Sequence, residues 1–311
     1  MKEQSGSTLI ELLIALALGL IVVAAAAMLF LTGVRSSSMQ QGVSDLQDNA
    51  NFGLNYITQD IRLANLNNGT AVLNDELVMG GIVVSQNNYQ ESMKPQPDPA
   101  NPDDVPAFNQ TLISSSGTGL SNVEQQSDYL VIQYQPVRTG GFDCEGREIT
   151  DDSRVIVQRY FLRVDANAGS GEANPLALAC DAGSYAFGED VARDFGDAGE
   201  IIMKRVDHFR VLLNVENAAG QKRYIGINQY KALTGANQPR IVGVSLGVLT
   251  RSSQNVGADA AIAQHDEFVV LDQTVKIEDD GNPTGYVRRV VTQDVALRNA
   301  LGSRSQEIDN D

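Results

Sequence analysis

The alternation of apolar and polar residues predicts one long helix at the N-terminus, made of two different halves. From Leu12 to Leu31 the chain runs for twenty residues without a charge. A helix of that length, at ~1.5 Å per residue, is roughly 30 Å long and matches the hydrocarbon core of a bilayer. Apolar residues then recur every three or four positions, at Val43, Leu46, Ala50, Leu54, Ile57, Ile61 and Ala64. This period predicts a helix over residues 8–66 whose second half buries one stripe.

From Asp128 onward the pattern changes to short runs rich in Val, Ile, Tyr and Leu, separated by clusters of Gly, Asn and Asp. Such runs are typical of β-strands. The predicted strands are 129–134, 154–164, 201–215, 224–230, 241–249, 267–277 and 286–297. Because no second amphipathic helix of comparable length lies among them, we predict an α+β fold: a long N-terminal helix packed on a mainly antiparallel sheet. Residues 85–126 are polar and rich in proline, and we expect an irregular, exposed loop there.

The apolar block fits a secretory signal peptide or a simple membrane anchor only in part. A signal peptide would be cut near Ala24–Ala26, but the apolar run continues through Leu31. Neither alternative explains Glu11, which lies inside the block. An ionised carboxylate in apolar surroundings is costly unless it has a partner.

Residues 6–13, Gly-Ser-Thr-Leu-Ile-Glu-Leu-Leu, resemble the prepilin signal of type IV pilins and pseudopilins. The resemblance implies that a prepilin peptidase cuts between Gly6 and Ser7, that the new amine of Ser7 is methylated, and that the apolar helix is kept. The first mature residue of this family is usually phenylalanine, so Ser7 departs from the pattern and favours a minor subunit. Glu11 is then expected to pair with the N-terminal amine of a neighbouring subunit and to set the register between subunits.

Two stretches near the C-terminus, 241–252 and 286–299, resemble the PilW-type minor pilins and, more loosely, the J-type minor pseudopilins of type II secretion. The resemblance implies a pilin-like fold with a leader at 1–6, a transmembrane or fibre-core helix at 7–35, its amphipathic continuation at 36–66 and a globular head at 67–311. It implies a single-pass inner-membrane protein with a periplasmic head, later built into an extracellular pilus at or near the tip.

The function implied by this resemblance is priming or supporting the assembly of a type IV pilus, with the major pilin and other minor pilins as partners. Twitching motility, adhesion and DNA uptake would follow from the assembled fibre. A minor pseudopilin of type II secretion is the nearest alternative. Another is a tip adhesin that binds a surface through 85–126.

Charge and cysteine content narrow the interpretation further. The net charge of −16 repels phosphate backbones, so we expect no direct nucleic-acid binding. Cys144 and Cys180 are the only cysteines. Such a pair is typical of free thiols in a cytosolic protein and of one disulfide in an exported protein. Since the prepilin signal implies a periplasmic head, a Cys144–Cys180 disulfide is expected.

Candidate catalytic residues are few. Gly243-Val-Ser-Leu-Gly247 fits a nucleophile elbow, with Asp259 and His265 following in the order used by hydrolases. An elbow needs a strand, a sharp turn and a helix, whereas the residues around Ser245 alternate as one strand. A membrane-anchored hydrolase using Ser245 is therefore only an alternative, and we expect no enzyme activity.

We also expect no metal or cofactor. His208 is predicted on a strand surface, outside any zinc-binding pattern. The Asp279–Asn282 stretch is predicted as a hairpin turn rather than a calcium loop. Arg288, Arg289 and Arg298 are expected to form structural ion pairs with the acidic head.

Overall fold

A computed structural model describes residues 8–97, 101, 105–169, 172–233, 238–253, 255, 266–278 and 285–301. It confirms the predicted α+β architecture of a long N-terminal helix and mainly antiparallel sheets. The helices are α1 (Leu9–Ile61) and the short α2 (Ile227–Lys231). The strands are β1 (Ser115–Gly119), β2 (Ser127–Tyr134), β3 (Val155–Val164), β4 (Leu176–Tyr185), β5 (Glu200–Lys204), β6 (Val206–Glu216), β7 (Lys222–Gly226), β8 (Arg240–Arg251), β9 (Glu267–Val270), β10 (Gln273–Lys276) and β11 (Arg288–Ala296).

Helix α1 is 53 residues long and ends earlier than the predicted residue 66. The chain leaves the helix through turns in which Asn65 and Asn67 have positive φ angles, a conformation that asparagine tolerates better than most residues. The predicted stripe is buried from Leu46 through Ile61, while Val43 is half-buried.

The strands form two antiparallel sheets and one separate hairpin. The first sheet has the order β1-β2-β3-β4-β5, the second has the order β11-β8-β6-β7, and β9 pairs with β10. Strand β6 contacts β2, β3 and β4, so the two sheets face each other. Helix α1 packs on β5 of the first sheet and on β8 and β11 of the second, and its stripe therefore joins the core that both sheets share.

Three of the predicted strand boundaries are wrong. The run 201–215 is two strands in different sheets, because Arg205 adopts a positive φ of 59° between them. The run 267–277 is the β9–β10 hairpin, which turns at Leu271 with a φ of 56°. The run 224–230 ends as a strand at Gly226 and continues as α2.

The segment 85–126 is irregular for most of its length, and the expectation that it is exposed is only partly right, because several of its side chains are buried. It contains three short 3-10 turns and strand β1. Its side chains Tyr89, Phe108 and Ile113 are buried in a second hydrophobic cluster with Val131 and Tyr185. The apolar residues in this segment are too widely spaced to show either helical or strand periodicity, so this cluster could not be predicted from the pattern.

Candidate assembly site

The first half of α1 is apolar on every side and has no covering in the isolated chain. From Leu9 to Arg35 every residue of the helix is exposed. Among the described residues, α1 is the one helix long and apolar enough to cross a membrane, and its most apolar window is 0% buried. Since a helix that is apolar all round is normally buried, this half requires lipid or other protein around it.

Glu11 is held at the N-terminus of α1 by a reciprocal capping box with Thr8. The Thr8 backbone N–H and hydroxyl donate to Glu11 Oε2 at 3.0 and 3.2 Å, and the Glu11 N–H donates to Thr8 Oγ1 at 3.4 Å. The positive end of the helix dipole also favours a carboxylate at this place. The role of Thr8 was not predicted, although Thr-x-x-Glu before an apolar run is the pattern of such a box. Gly6 and Ser7 lie outside the described residues.

The second half of α1 is tied to the head by side-chain hydrogen bonds as well as by its apolar stripe. The Asn49 amide donates to the carbonyl of Lys204 at the end of β5, at 2.8 Å. The Tyr56 hydroxyl donates to the carbonyl of Cys144 at 3.2 Å. The head therefore has a fixed position along α1, beyond the exposed apolar half.

Cys144 and Cys180 form the predicted disulfide, and both are buried. The bridge joins the loop around Cys144 to strand β4. Arg147 strengthens the same junction: its guanidinium pairs with Asp143 and Glu145, each at 2.9 Å, and donates to the carbonyl of Ala182. Because Tyr56 bonds to Cys144, this cross-linked loop also holds α1.

Glu145, Asp181 and Asp197 are the one group of described residues whose acidic oxygens lie close enough together, within 4.8 Å, to hold a metal ion. Burial raises the pKa of both Glu145 and Asp181. Two arginines already neutralise the cluster, since Arg159 pairs with Asp181 at 2.8 Å and Arg147 pairs with Glu145. The geometry is that of a structural ion-pair network.

The Gly-x-Ser-x-Gly stretch lies within β8 and does not form an elbow. Ser245 is 5% exposed and pairs with Leu212 of β6 and Asp294 of β11. A Cβ on Gly247 would lie 2.8 Å from Val270 and Leu271 side-chain atoms, so this glycine lets the β9–β10 hairpin approach β8. Packing therefore explains the motif. Asp259 and His265 lie outside the described residues.

The prediction that His208 lies on a strand surface is wrong, because its side chain is fully buried in β6. Its Nδ1 lies 3.2 Å from the hydroxyl of Ser121. Burial, with a further contribution from Arg210, lowers the pKa of His208 to about 4. A neutral imidazole with no access to solvent is a structural residue. The Asp279–Asn282 stretch lies outside the described residues.

Buried ion pairs connect the sheets. Arg210 pairs with Asp128 of β2 at 3.1 Å and with Asp272 at 2.8 Å, and burial raises the pKa of Asp128 to about 6 despite the arginine. Arg288 pairs with the buried Asp207 at 2.8 Å, as predicted. No salt bridge to Arg289 or Arg298 is formed by the part of the head that the structure describes.

Two family models match the chain. The model of type IV pilus-assembly protein W matches residues 160–299, and the model of the prokaryotic N-terminal methylation motif matches residues 1–27. No curated protein matches the chain. Among solved structures, a type IV-like pilin from Thermus thermophilus is similar at 13% identity, covering 82% of this chain and 98% of its own, with a TM-score of 0.38.

Proposed function

We propose that this chain, a PilW-like member of the type IV pilin family, is a minor subunit that primes or supports the assembly of a type IV pilus. The observation that carries the proposal is the combination of a methylation motif with a helix whose first half is wholly exposed and whose second half is built into a head. Pilin-family proteins are structural, and we propose no enzyme activity and no direct nucleic-acid binding for this one. Twitching motility, adhesion and DNA uptake would be consequences of the fibre.

Processing is the first step of the proposed mechanism. Prepilin peptidase would remove residues 1–6 by cutting between Gly6 and Ser7, and the amine of Ser7 would be methylated. Methylation replaces one hydrogen of the amine by a methyl group, and the methylated amine keeps its positive charge. The cleaved chain would keep residues 7–35 as the membrane and fibre-core helix, 36–66 as its continuation and 67–311 as the head.

Assembly moves the apolar half of α1 from lipid into the fibre core. The exposed aliphatic residues between Leu9 and Leu31 keep apolar surroundings throughout this transfer. Glu11 would exchange part of its local capping bonds for the charged amine of a neighbouring subunit. A buried pair of opposite charges is tolerated where either charge alone is not, which would set the register between subunits. The major pilin and other minor pilins are the proposed neighbours.

The proposed function also implies where the chain is located before and after assembly. Before assembly the chain would span the inner membrane once, with its head in the periplasm, where the Cys144–Cys180 disulfide can form and persist. Afterwards the head would lie on the extracellular fibre, at or near the tip.

A deletion strain tests this function. We expect loss of the gene to reduce the number of surface pili sharply, and the wild-type gene to restore them. The chain should also be detected, in small amount relative to the major pilin, in fibres sheared from restored cells. Normal piliation in the deletion strain, together with absence of the chain from sheared fibres, would reject the proposal.

A further inference from the structure

A shallow groove with an exposed phenylalanine lies beside α1, where the helix meets the disulfide-linked loop and strand β5. Its volume is about 210 Å³. The groove is lined by Phe52 and Tyr56 of α1, Cys144 and Gly146 of the loop, and Ile201 and Ile202 of β5. Phe52 is 70% exposed, although the other outward residues of this part of α1 are polar. Burial of an aromatic side chain is favourable, so a partner that covers Phe52 would gain stability that the isolated chain lacks.

The rim of this groove is acidic. Asp48 lies one helical turn before Phe52 on the same face of α1, and Glu200 directly precedes Ile201; both are exposed. Glu145 lines the groove, and the carboxylate of Asp197 lies within 4.8 Å of that of Glu145. Arg147 neutralises Glu145, and Arg159 and Arg163 donate to the backbone carbonyls of Asp197 and Gly199 at 3.0 and 3.1 Å. Among the residues that the structure describes, no Lys or Arg forms a salt bridge with the carboxylates of Asp48, Asp197 or Glu200.

The position of the groove on α1 points to an occupant within the fibre. It follows the exposed apolar half of the same helix, so a subunit that packs along that half brings its own head close to the groove. The charge of the rim points to the kind of head. Two copies of this chain, each at −16, would bring like charges together, whereas a segment carrying Lys or Arg would be attracted.

We propose that the groove binds a different pilin-family subunit, through a bulky apolar side chain flanked by Lys or Arg. This inference rests on the proposed function, since it names the neighbour that the fibre would place beside α1. Phe52 and Ile202 supply the apolar contact, and Asp48, Asp197 and Glu200 supply the charge that selects a basic partner. A second copy of this chain could approach through strand β7, where Lys222 and Arg223 lie beside the exposed Tyr224, and it is the alternative that the test must separate.

Photo-crosslinking of the full chain in piliated cells tests the groove. Phe52 is replaced by the photo-reactive p-benzoylphenylalanine, and the same replacement at Phe187, an exposed phenylalanine in the loop after β4 that does not line the groove, is the control. The expected product is an adduct at position 52 with another protein that carries a prepilin signal, and the crosslinked peptide of that protein contains Lys or Arg. An adduct of two copies of this chain, or no adduct above the level at Phe187, would overturn the proposal.

Charge reversal tests the rim separately. Asp48→Lys with Glu200→Lys should lower the adduct yield about tenfold. Asp152→Lys with Glu267→Lys, which changes the net charge equally at exposed sites elsewhere, should leave the yield unchanged. Equal yields from the two double variants would overturn the role of the acidic rim.

N-terminal processing and fibre content are measured in the same cells. If the wild-type chain is processed and found in fibres but position 52 gives no adduct, the groove proposal fails while the proposed function stands. If the chain is neither processed nor found in fibres, both fail.

Discussion

At the scale of single residues, Glu11 has a local partner and a proposed distant one. The Thr8 capping box satisfies its oxygens within one chain, which explains how a carboxylate can lie at the start of an apolar helix. Thr8 is uncharged, so the capping box supplies no cation to pair with the carboxylate of Glu11. The sequence indicated the distant role through the prepilin signal, and the local role only through the Thr-x-x-Glu spacing.

Glu11→Gln separates these two roles. Glutamine can replace glutamate in a capping box but carries no charge. We expect the variant to insert and be cleaved like wild type, and to be nearly absent from sheared fibres, since removing one partner of a buried pair costs ~3–5 kcal/mol. Immunoblots of membranes and of sheared fibres measure the cleavage of the variant and its fibre content. Thr8→Ala is the matched variant, because it removes the capping box but keeps the charge of Glu11. Equal fibre content of Glu11→Gln and wild type would show that the charge does not set the register.

His208 makes stability depend on pH. Its folded pKa of about 4 lies below the unfolded value of 6.5. The unfolded chain therefore binds more protons between these values, so the contribution of His208 is complete above about pH 6.5 and falls as the pH decreases toward 4.

We expect His208→Gln to remove this loss. Between pH 6.5 and 4 the free energy of unfolding of wild type should fall relative to that of the variant, by at most ~1.4 kcal/mol for each pH unit. Urea unfolding of the full chain in detergent at pH 7.5 and pH 5 measures the difference. A constant gap between the two proteins at both pH values would contradict a buried neutral imidazole.

At the scale of secondary-structure elements, the period of α1 was readable from sequence because its stripe recurs from Val43 to Ile61, although the helix ends before the predicted residue 66. The boundaries of the strands were harder to predict from the sequence. Residues 201–215 contain no Gly or Pro near Arg205 that would indicate a break, and one residue with positive φ was enough to divide them between two sheets. Strand β4, Leu176–Tyr185, was missed because Ala, Gly and Ser, which have weak strand propensity, occupy much of it.

The disulfide holds the loop at Cys144 to β4 and, through Tyr56, to α1. We expect Cys144→Ser with Cys180→Ser to lower the free energy of unfolding by ~2–4 kcal/mol. Thermal unfolding with and without reductant measures this, and reductant should affect wild type only. Protein isolated without reductant should show no free thiol, and full alkylation of such a sample would contradict the bridge.

Gly81 is expected to be the least replaceable glycine near the end of α1. A Cβ there would lie 2.1 Å from the backbone nitrogen of Asn65, which belongs to the turn that closes the helix. Gly81→Ala should lower the free energy of unfolding by about 1–3 kcal/mol or more, because backbone must move. Gly69→Ala is the matched control, since its Cβ would meet no atom within 4 Å. Similar melting temperatures for the two variants would refute the close contact.

At the scale of the whole molecule, the α+β class and the division into an apolar helix and a β-rich head followed from the hydrophobic pattern alone. The two sheets face each other through contacts of β6 with the first sheet, and Tyr89 and Phe108 are buried although their segment is polar and rich in proline. Both features depend on contacts between residues far apart in sequence. Such contacts leave no local period. The same is true of the groove beside α1, whose walls come from three separate parts of the chain.

The most direct test of the account is the mass of the N-terminal peptide of the mature protein. Purification from piliated cells and mass spectrometry should give a chain that begins at N-methylated Ser7 and retains Leu12–Leu31. A chain that begins at Met1, or beyond Ala26 with the apolar segment removed, would contradict the account.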